Sequence, residues 1–271
     1  MGSSIAFAAA LAALAPQSAA IPPVPLKPSG PWIVDYADSM CVLQRQFGSG
    51  EDTVYLGFRP GLFSEHMRMV LMRKGTDRST RRGMTQLFFD GGPPLKAPFT
   101  EGWVEKQHAR VMLIDLKVSD LAPLNHAKQL RVQAGKADII LAPERVDAAM
   151  KALDPCQKDL LISWGMNKVT IDAIATFAEP KDGVVGFFST NDYPVAAIRK
   201  NEQGTAGVRY WVSIEGKVRE CTVVESSGSA ILDAQTCAII MKRGKFLPAR
   251  TKSGEAVESI GFSRIRWEIP G

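Results

Sequence analysis

Short apolar runs separated by turn residues occupy a large part of the chain, from Trp32 to about Met166. The runs with strand-like alternation are 53–58, 67–72, 84–89, 111–116, 130–132 and 138–141. Gly, Pro and Asp stand between them, as in Arg59-Pro60-Gly61, and these residues favour tight reversals. From Val146 the apolar positions follow helical spacing until Asp154-Pro155 interrupts it. The pattern predicts a β-rich α+β domain over residues 32–166 that closes with a broken helix.

Two further helices are predicted near the end of the chain. Pro194 is placed to begin a short helix that runs to about residue 202, with Asn191 or Asp192 as its cap. Apolar residues from Leu232 to Met241 then follow helical spacing. Acidic and basic residues lie near the positive and negative ends of this second helix, as the helix dipole favours.

Three strands are predicted around these helices. The alternating runs 208–214 and 217–225 flank Glu215-Gly216, which predicts a hairpin with a two-residue turn. A final strand is predicted over 257–269, and its apolar positions change phase between Phe262 and Ile265, which indicates a bulge or a strong twist. Together the elements predict a small three-stranded antiparallel sheet with two helices on one face.

Several separated motifs follow one another in residues 192–271. These are a Tyr-Pro pair, a hairpin around Gly216, a Ser-Ser-Gly turn, a Leu-Asp pair and a Phe-Leu-Pro-Ala segment. Their residues are Tyr193, Pro194, Ser226, Ser227, Gly228, Leu232, Asp233, Phe246, Pro248 and Ala249. In order and spacing these motifs closely resemble the TonB C-terminal domain. No family is identified for the preceding domain.

The resemblance implies a role in TonB-dependent transport, in which the domain binds an extended peptide of an outer-membrane TonB-dependent receptor. Such binding uses strand addition, because an edge strand exposes backbone donors and acceptors that a peptide can complete. By this analogy the partner-binding residues are those of the final strand: Ser259, Ile260, Gly261, Phe262, Ser263, Arg264, Ile265, Arg266 and Trp267. Two alternatives stay open, that this strand is interior to the sheet or that it pairs in a homodimer.

The start of the chain indicates export. Residues 5–15 are uninterruptedly apolar and small residues follow, which predicts a signal peptide over residues 1–20. Prolines crowd residues 21–31 and predict an extended tether, and residues 167–189 are predicted as a linker before the TonB-like domain at 190–271. The expected location is the periplasm, with inner-membrane anchoring only if the signal is retained.

An energy-transducing role requires more than the C-terminal domain. A full transducer of this family has an uncleaved membrane helix and a long Pro-rich spacer, and the sequence predicts neither here. An ExbB/ExbD-like motor is therefore not expected as a partner. The alternative function is a soluble periplasmic adaptor, or a cell-wall-binding protein, without energy-transducing activity.

Four cysteines form an even set in a chain with an export signal, so disulfides are expected. The order of the elements favours Cys41 with Cys156, inside the first domain, and Cys221 with Cys237, between a strand and the helix that covers it. The other pairings would link the two domains. None of the cysteines forms a CxxC, and His66, His108 and His126 are scattered, so no metal and no cofactor are expected.

The remaining chemistry points to binding rather than catalysis. No GxSxG, GxxxxGK[ST] or HExxH motif occurs, so an enzyme is not expected. The net charge is +5, and a basic cluster lies between Arg68 and Arg82. This cluster is a candidate for an anionic envelope ligand, with an ordinary solvated loop as the alternative. Nucleic acid is excluded as a partner by the export signal.

Overall fold

The computed structural model describes residues 24–62 and 65–269. It is 25% helical and 45% strand, with one large curled sheet, so the predicted mixed α+β class is confirmed. The predicted signal peptide lies outside the described residues. Within them, no helix has the length and apolar character that crossing a membrane would require.

The first nine strands form one antiparallel sheet in the order β1-β2-β3-β4-β7-β6-β5-β8-β9. Their bounds are β1 Ile33–Ala37, β2 Met40–Phe47, β3 Val54–Pro60, β4 His66–Lys74, β5 Arg81–Phe89, β6 Leu95–Val104, β7 Ala109–Lys117, β8 Leu130–Ala134 and β9 Ala137–Leu141. Alternate residues of each strand point to one face, and the inner face forms the apolar core. Leu56, Phe58, Met69 and Ile114 on this face are fully buried.

The two ends of this sheet are bridged by the Pro-rich segment. Leu26 exchanges backbone hydrogen bonds with β9, at 2.8 Å to the Ile140 oxygen and 3.0 Å from the Ala142 nitrogen. Three residues later, the Ser29 nitrogen donates to the Gln46 oxygen of β2 at 3.0 Å. From Leu26 onward the segment therefore closes the curled sheet, and the prediction that it acts as a free tether is wrong there.

All six predicted strands of this region are present as β3, β4, β5, β7, β8 and β9, but β1, β2 and β6 were not predicted. Strand β6 lacks apolar alternation because Glu101, on its inner face, is 1% exposed. Its carboxylate lies 2.9 Å from the buried Arg110 guanidinium and 2.9 Å from that of Arg73. Burial raises the pKa of the Glu101 carboxyl, but hydrogen bonds and charge from Arg110 and Arg73 outweigh it and lower the net pKa.

Three helices follow: α1 Val146–Met150, α2 Leu153–Ser163 and α3 Lys168–Ala173. The helix is broken as predicted, but the break falls at Lys151 and Ala152. Pro155 lies in the first turn of α2, where its missing N–H costs no helical hydrogen bond. The predicted Cys41–Cys156 disulfide joins β2 to α2.

The remaining elements build a second, smaller sheet and its covering helices. They are β10 Ile174–Thr176, β11 Glu179–Pro180, α4 Val195–Arg199, β12 Gly204–Val212, β13 Val218–Glu225, α5 Ala230–Arg243, β14 Phe246–Leu247, β15 Ala249–Thr251, β16 Ala256–Val257 and β17 Ser259–Trp267. Strands β12, β13 and β17 form an antiparallel three-stranded sheet in the order β13-β12-β17. The segment predicted as a linker is hydrogen-bonded to this region, since β10 pairs with β15 and β11 with β14.

Helix α5 packs on one face of this sheet, and the predicted Cys221–Cys237 disulfide joins it to β13. Buried Leu232 and Ile240 of the helix share a core with Val208 and Tyr210 of β12. Ser229 caps the helix by accepting a hydrogen bond from the Leu232 nitrogen.

Two local predictions in this region are wrong. No side chain caps α4, whose first flanking residue is Pro194, because the Asp192 carboxylate instead accepts hydrogen bonds from Ser189 and Arg243. The hairpin turn is longer than two residues, since the last strand pair is Val212 with Val218. Gly216 in this loop has φ +77°, and a side chain there would collide with the Phe246 carbonyl oxygen.

The predicted bulge in the final strand is also absent, because β17 pairs with β12 without a register shift from Ser259 to Trp267. The change of apolar phase has another cause. Ile265 and Trp267 face α5, whereas Ile260 and Phe262 face the opposite side and pack with Trp164. Both faces of the small sheet are therefore covered, one by helices and the other by residues around the end of α2.

Candidate functional site

Strand β17 contains all of the predicted partner-binding residues and lies at one edge of the three-stranded sheet. It pairs with β12 along its whole length, from Ser259 opposite Val212 to Trp267 opposite Gly204. Among the described residues, no strand pairs with its other side. Half of its backbone donors and acceptors thus point away from the sheet.

The side chains of β17 are fixed on both faces, which leaves the edge as its available surface. On the helix face, the Trp267 indole nitrogen donates to the Thr236 hydroxyl at 2.9 Å, and its ring lies 5.3 Å from that of Tyr193. On the opposite face, the Phe262 ring lies 5.7 Å from the Trp164 ring. These contacts fix the strand in the small sheet from both faces.

An ion pair crosses the sheet at the middle of β17. Arg264 and Glu225 lie on the two outer strands, both opposite Gly207 of the central strand. The Arg264 Nε lies 2.7 Å from Glu225 Oε2. A Cβ at Gly207 would lie 2.7 Å from that same oxygen, so glycine leaves the space for the pair.

The same ion pair touches the curled sheet. The Ser39 hydroxyl donates to the Glu225 carboxylate, and the Arg264 guanidinium lies 3.8 Å from the Met40 sulfur. Burial raises the pKa of Glu225, but hydrogen bonds from Arg264 and Ser39 outweigh it and lower the net pKa. The edge strand is therefore connected to the turn between β1 and β2 through a charged group.

A cavity of about 480 Å³ opens between β17 and the curled sheet. On one side it is lined by three consecutive residues of β17, Phe262, Ser263 and Arg264. Consecutive residues alternate between the faces of a strand, so a cavity lined by all three meets the strand at its edge. Its opposite wall is formed by the β3–β4 hairpin, including Arg59 and Arg68. Such a volume lies within the range of about 300–1,000 Å³ found for ligand sites.

The TonB-like motif residues lie around this strand and stabilise the small domain. The Tyr193 hydroxyl donates to the backbone carbonyl oxygen of Glu202 at 2.6 Å, while the Tyr193 ring packs on Trp267. Asp233 accepts hydrogen bonds from the Ser226 hydroxyl at 2.6 Å and the Ser227 nitrogen at 2.8 Å. The motif thus fixes the loop between β13 and α5 in place.

The apolar motif residues fill the cores on both faces of the small sheet. Leu232 and Phe246 are buried on the helix face, and the Phe246 ring lies 5.2 Å from the Tyr210 ring. Ala249 is fully buried in the core that also contains Trp164 and Ile260. Pro248 separates β14 from β15. The motif is accordingly a signature of the fold, and the exposed edge is a separate feature.

The basic cluster predicted as an anion site is neutralised by carboxylates within the chain. Its members pair as Arg68–Asp115, Arg73–Glu101, Lys74–Glu51, Arg78–Glu105, Arg81–Asp77 and Arg82–Glu268. Each pair removes one positive charge from the surface, which favours the alternative of an ordinary charged loop. All of these acids except Asp77 lie outside residues 68–82, which is why the sequence showed little opposing charge in the cluster.

Sequence patterns gave no role to Arg59 or Gly207. Arg59 looked like part of a turn, and it lies at the end of β3 with its side chain in the cavity beside β17. Gly207 lay immediately before the predicted strand 208–214 and was not assigned to an element. A small residue between oppositely charged residues on neighbouring strands is a signal that could have identified it, once the strand pairing was known.

Residues 189–269 match a protein-family model described as Gram-negative bacterial TonB protein C-terminal. Comparison with curated proteins and with solved structures finds no match. The matched segment contains the motif residues, the three-stranded sheet and its edge strand β17. Residues 189–269 of this chain form a TonB C-terminal domain.

Proposed function

We propose that this protein acts in the periplasm and binds an extended peptide as a fourth strand beside β17, in the service of TonB-dependent transport at the outer membrane. The observation that carries the proposal is the edge position of β17, which pairs on one side and faces a cavity at its middle. Domains of this family typically work in the periplasm and generally interact with outer-membrane TonB-dependent receptors.

Strand addition fits the physical state of β17. Its side chains are held on both faces by Trp164 and α5, so a peptide would meet a rigid template and lose little of its binding energy to ordering the protein. Backbone hydrogen bonds would supply the affinity, and the cavity walls would select the side chains. This is a binding role, and no catalytic step is needed for it.

Photo-crosslinking from the two edges of the sheet tests the proposal. A benzoylphenylalanine replaces Arg266 at the edge strand β17 in one variant and Glu220 at the opposite edge strand β13 in the matched control; both positions are exposed. We expect a cross-link to a TonB-dependent outer-membrane receptor from position 266 and none from position 220. Equal cross-linking from both positions, or none from either, would show that β17 is not the contact.

Hydrogen exchange then tests the mode of binding. The receptor segment that carries the cross-link is made as a peptide, and amide exchange is measured along residues 259–267. A peptide added as a strand slows exchange at alternate residues of β17, because only alternate amides point to the free edge. Uniform or no protection contradicts strand addition.

A second candidate function is a periplasmic adaptor without energy-transducing activity. It is favoured by the packing of α2 and α3 against the C-terminal sheet, since the domain is docked on a folded partner rather than carried on an extended spacer. A pull-down from envelope extract separates the two functions. Recovery of an ExbB/ExbD-like motor together with a receptor supports transduction, whereas recovery of peptidoglycan or a soluble protein supports the adaptor.

A further inference from the structure

The cavity beside β17 contains an arginine without a carboxylate partner. Arg59 lies at the end of β3, directly across from Arg68 of β4. Among the residues that the structure describes, Arg59 forms no ion pair, although it is half-buried. A half-buried cation is more costly than an exposed one unless a counter-charge reaches it.

The other two arginines of the cavity are already neutralised. Arg68 lies 2.6 Å from Asp115, and Arg264 is paired with Glu225 across the small sheet. Three arginines and one aspartate, Asp115, line the cavity, so its lining carries an excess of positive charge. Among the described residues, Arg59 is the cavity arginine that no carboxylate contacts directly, although Glu225 and Asp115 act on it from a distance.

The surroundings of Arg59 oppose its own charge. Burial, followed by the positive charges of Arg264 and Arg68, lowers the pKa of Arg59 to about 10, and the more distant carboxylates of Glu225 and Asp115 offset this only in part. The group stays protonated at neutral pH, so an anion that contacts it would relieve the part of this unfavourable environment that Glu225 and Asp115 leave. The influence of Arg264 also places Arg59 within electrostatic reach of β17.

We propose that Arg59 binds a carboxylate carried by the peptide that adds to β17, so that the site selects an extended segment with an acidic group near its middle. This inference rests on the proposed strand addition and names the chemistry that the same site selects. The cavity meets the strand at Phe262–Arg264, and Ser263 is the central residue of β17. A peptide paired with the whole strand would place its own central residue at the cavity.

A single carboxylate fits the cavity better than a phosphate. The guanidinium of arginine presents parallel N–H donors that match the two oxygens of a carboxylate. Only Arg59 is free to provide them, because Asp115 and Glu225 engage the other two guanidiniums. A dianionic phosphate would carry twice the charge that the cavity leaves uncompensated.

The test measures binding of synthetic peptides to the full chain by fluorescence anisotropy. The probe is a nine-residue peptide of alternating Thr and Val with one central Glu and blocked ends, and its counterpart has Gln in place of Glu. We expect the Glu peptide to bind about tenfold more tightly, as one charge-assisted hydrogen-bonded pair provides. A third peptide has the Gln centre and a free terminal carboxylate, which distinguishes a side-chain anion from a chain end.

Variants of the protein test whether Arg59 causes the preference for the Glu peptide. Arg59→Gln should make the Glu and Gln peptides bind equally, and Arg59→Lys should restore part of the preference. The matched control is Arg199→Gln, which removes an exposed arginine outside the cavity and should leave the preference unchanged. Circular dichroism of each variant checks that the fold is retained.

Each outcome separates the two proposals. If the Glu and Gln peptides bind equally to the unchanged protein, strand addition stands and the role of Arg59 is overturned. If neither of them nor the third peptide binds, both proposals are overturned. If inorganic phosphate stabilises the unchanged protein but not Arg59→Gln, and no peptide binds, Arg59 belongs to a site for free anions. That result would also overturn the peptide proposal.

Discussion

The curled sheet and the small sheet solve the problem of exposed strand edges in opposite ways. In the curled sheet, nine strands bend around a buried face and residues 26–29 bridge its two ends. In the small sheet, three strands stay open at both edges, while both faces are covered. The first arrangement removes binding surface, and the second concentrates it along two strand edges.

The two open edges of the small sheet are themselves unequal. Strand β13 is cross-linked to α5 through Cys221, whereas β17 faces a cavity that the curled sheet completes. In the proposed site, the free backbone edge of β17 is therefore only one component. The curled sheet would supply the facing wall and the positive charge of Arg59.

The largest expected difference between the two regions concerns their disulfides. Cys41–Cys156 spans 115 residues of the chain and Cys221–Cys237 spans 16. In the chain-entropy model, their removal should lower the free energy of unfolding by about 5 and about 3 kcal/mol respectively. Urea denaturation of the paired Cys→Ala variants measures this. A larger loss for the short loop would contradict the entropic explanation.

The core of the open sheet is expected to be almost as sensitive. Phe246→Ala removes a ring that is 1% exposed and packs on Tyr210 and Phe187, and it should cost about 4 kcal/mol. Leu247→Ala, at the next residue, removes a side chain that is 55% exposed and should cost little. Thermal unfolding compares them, and similar losses would show that β14 is not packed as described.

Acid should weaken the open sheet through Asp192. The hydrogen bond from Arg243, against the opposing effect of burial, lowers the pKa of Asp192 from 3.8 to about 2. The folded state therefore holds its proton less tightly than the unfolded chain. The stability that this pair contributes is complete above about pH 4 and is lost as the pH falls towards 2.

The variant Arg243→Gln should flatten this part of the pH profile of unfolding. Arg199→Gln, an exposed arginine that forms no ion pair among the described residues, provides the control and should leave the profile as it is. An unchanged profile in Arg243→Gln would show that the Asp192–Arg243 pair does not cause the loss of stability in acid.

The smallest effect tests the closure of the curled sheet. Ser29→Pro removes the nitrogen that donates to Gln46 at 3.0 Å and should cost about 1 kcal/mol. Lys27→Pro removes a nitrogen that makes no hydrogen bond among the described residues, so it should be nearly neutral. Equal stabilities of the two variants would mean that residues 26–29 do not hold the sheet closed.

The sequence predicted those elements whose apolar pattern is local. Strands β3, β4 and β7 and the helix α5 follow from spacing alone, and the order of these elements favoured the two disulfides that are present. Strand β6 did not, because Glu101 replaces an apolar residue and depends on Arg110 from β7 for its burial. The bulge predicted in β17 failed for a related reason, since Ile260 and Phe262 face a core contributed by α2.

In the candidate site, too, the parts with a local sequence pattern were predicted and those that depend on distant residues were not. The edge strand was identified from family motifs in the same segment, so its residues could be named from the sequence. The cavity could not, because its walls come from residues near 40, 60, 115, 184 and 262 that meet only in the fold. Arg59 differs from Arg68 and Arg264, the other arginines of the cavity, in forming no ion pair among the described residues, and this difference has no signature in a linear pattern.

The link between β2 and α2 has a mechanical consequence. A pull on the chain ahead of residue 24 would load the backbone bonds of Leu26 and Ser29 first and would then peel β1 away. At Cys41 the covalent bridge to Cys156 would stop further extension and carry tension directly into α2. Since Trp164, at the end of α2, packs on Phe262 of β17, tension would reach the face of the small sheet opposite α5 while most of the curled sheet stayed unloaded.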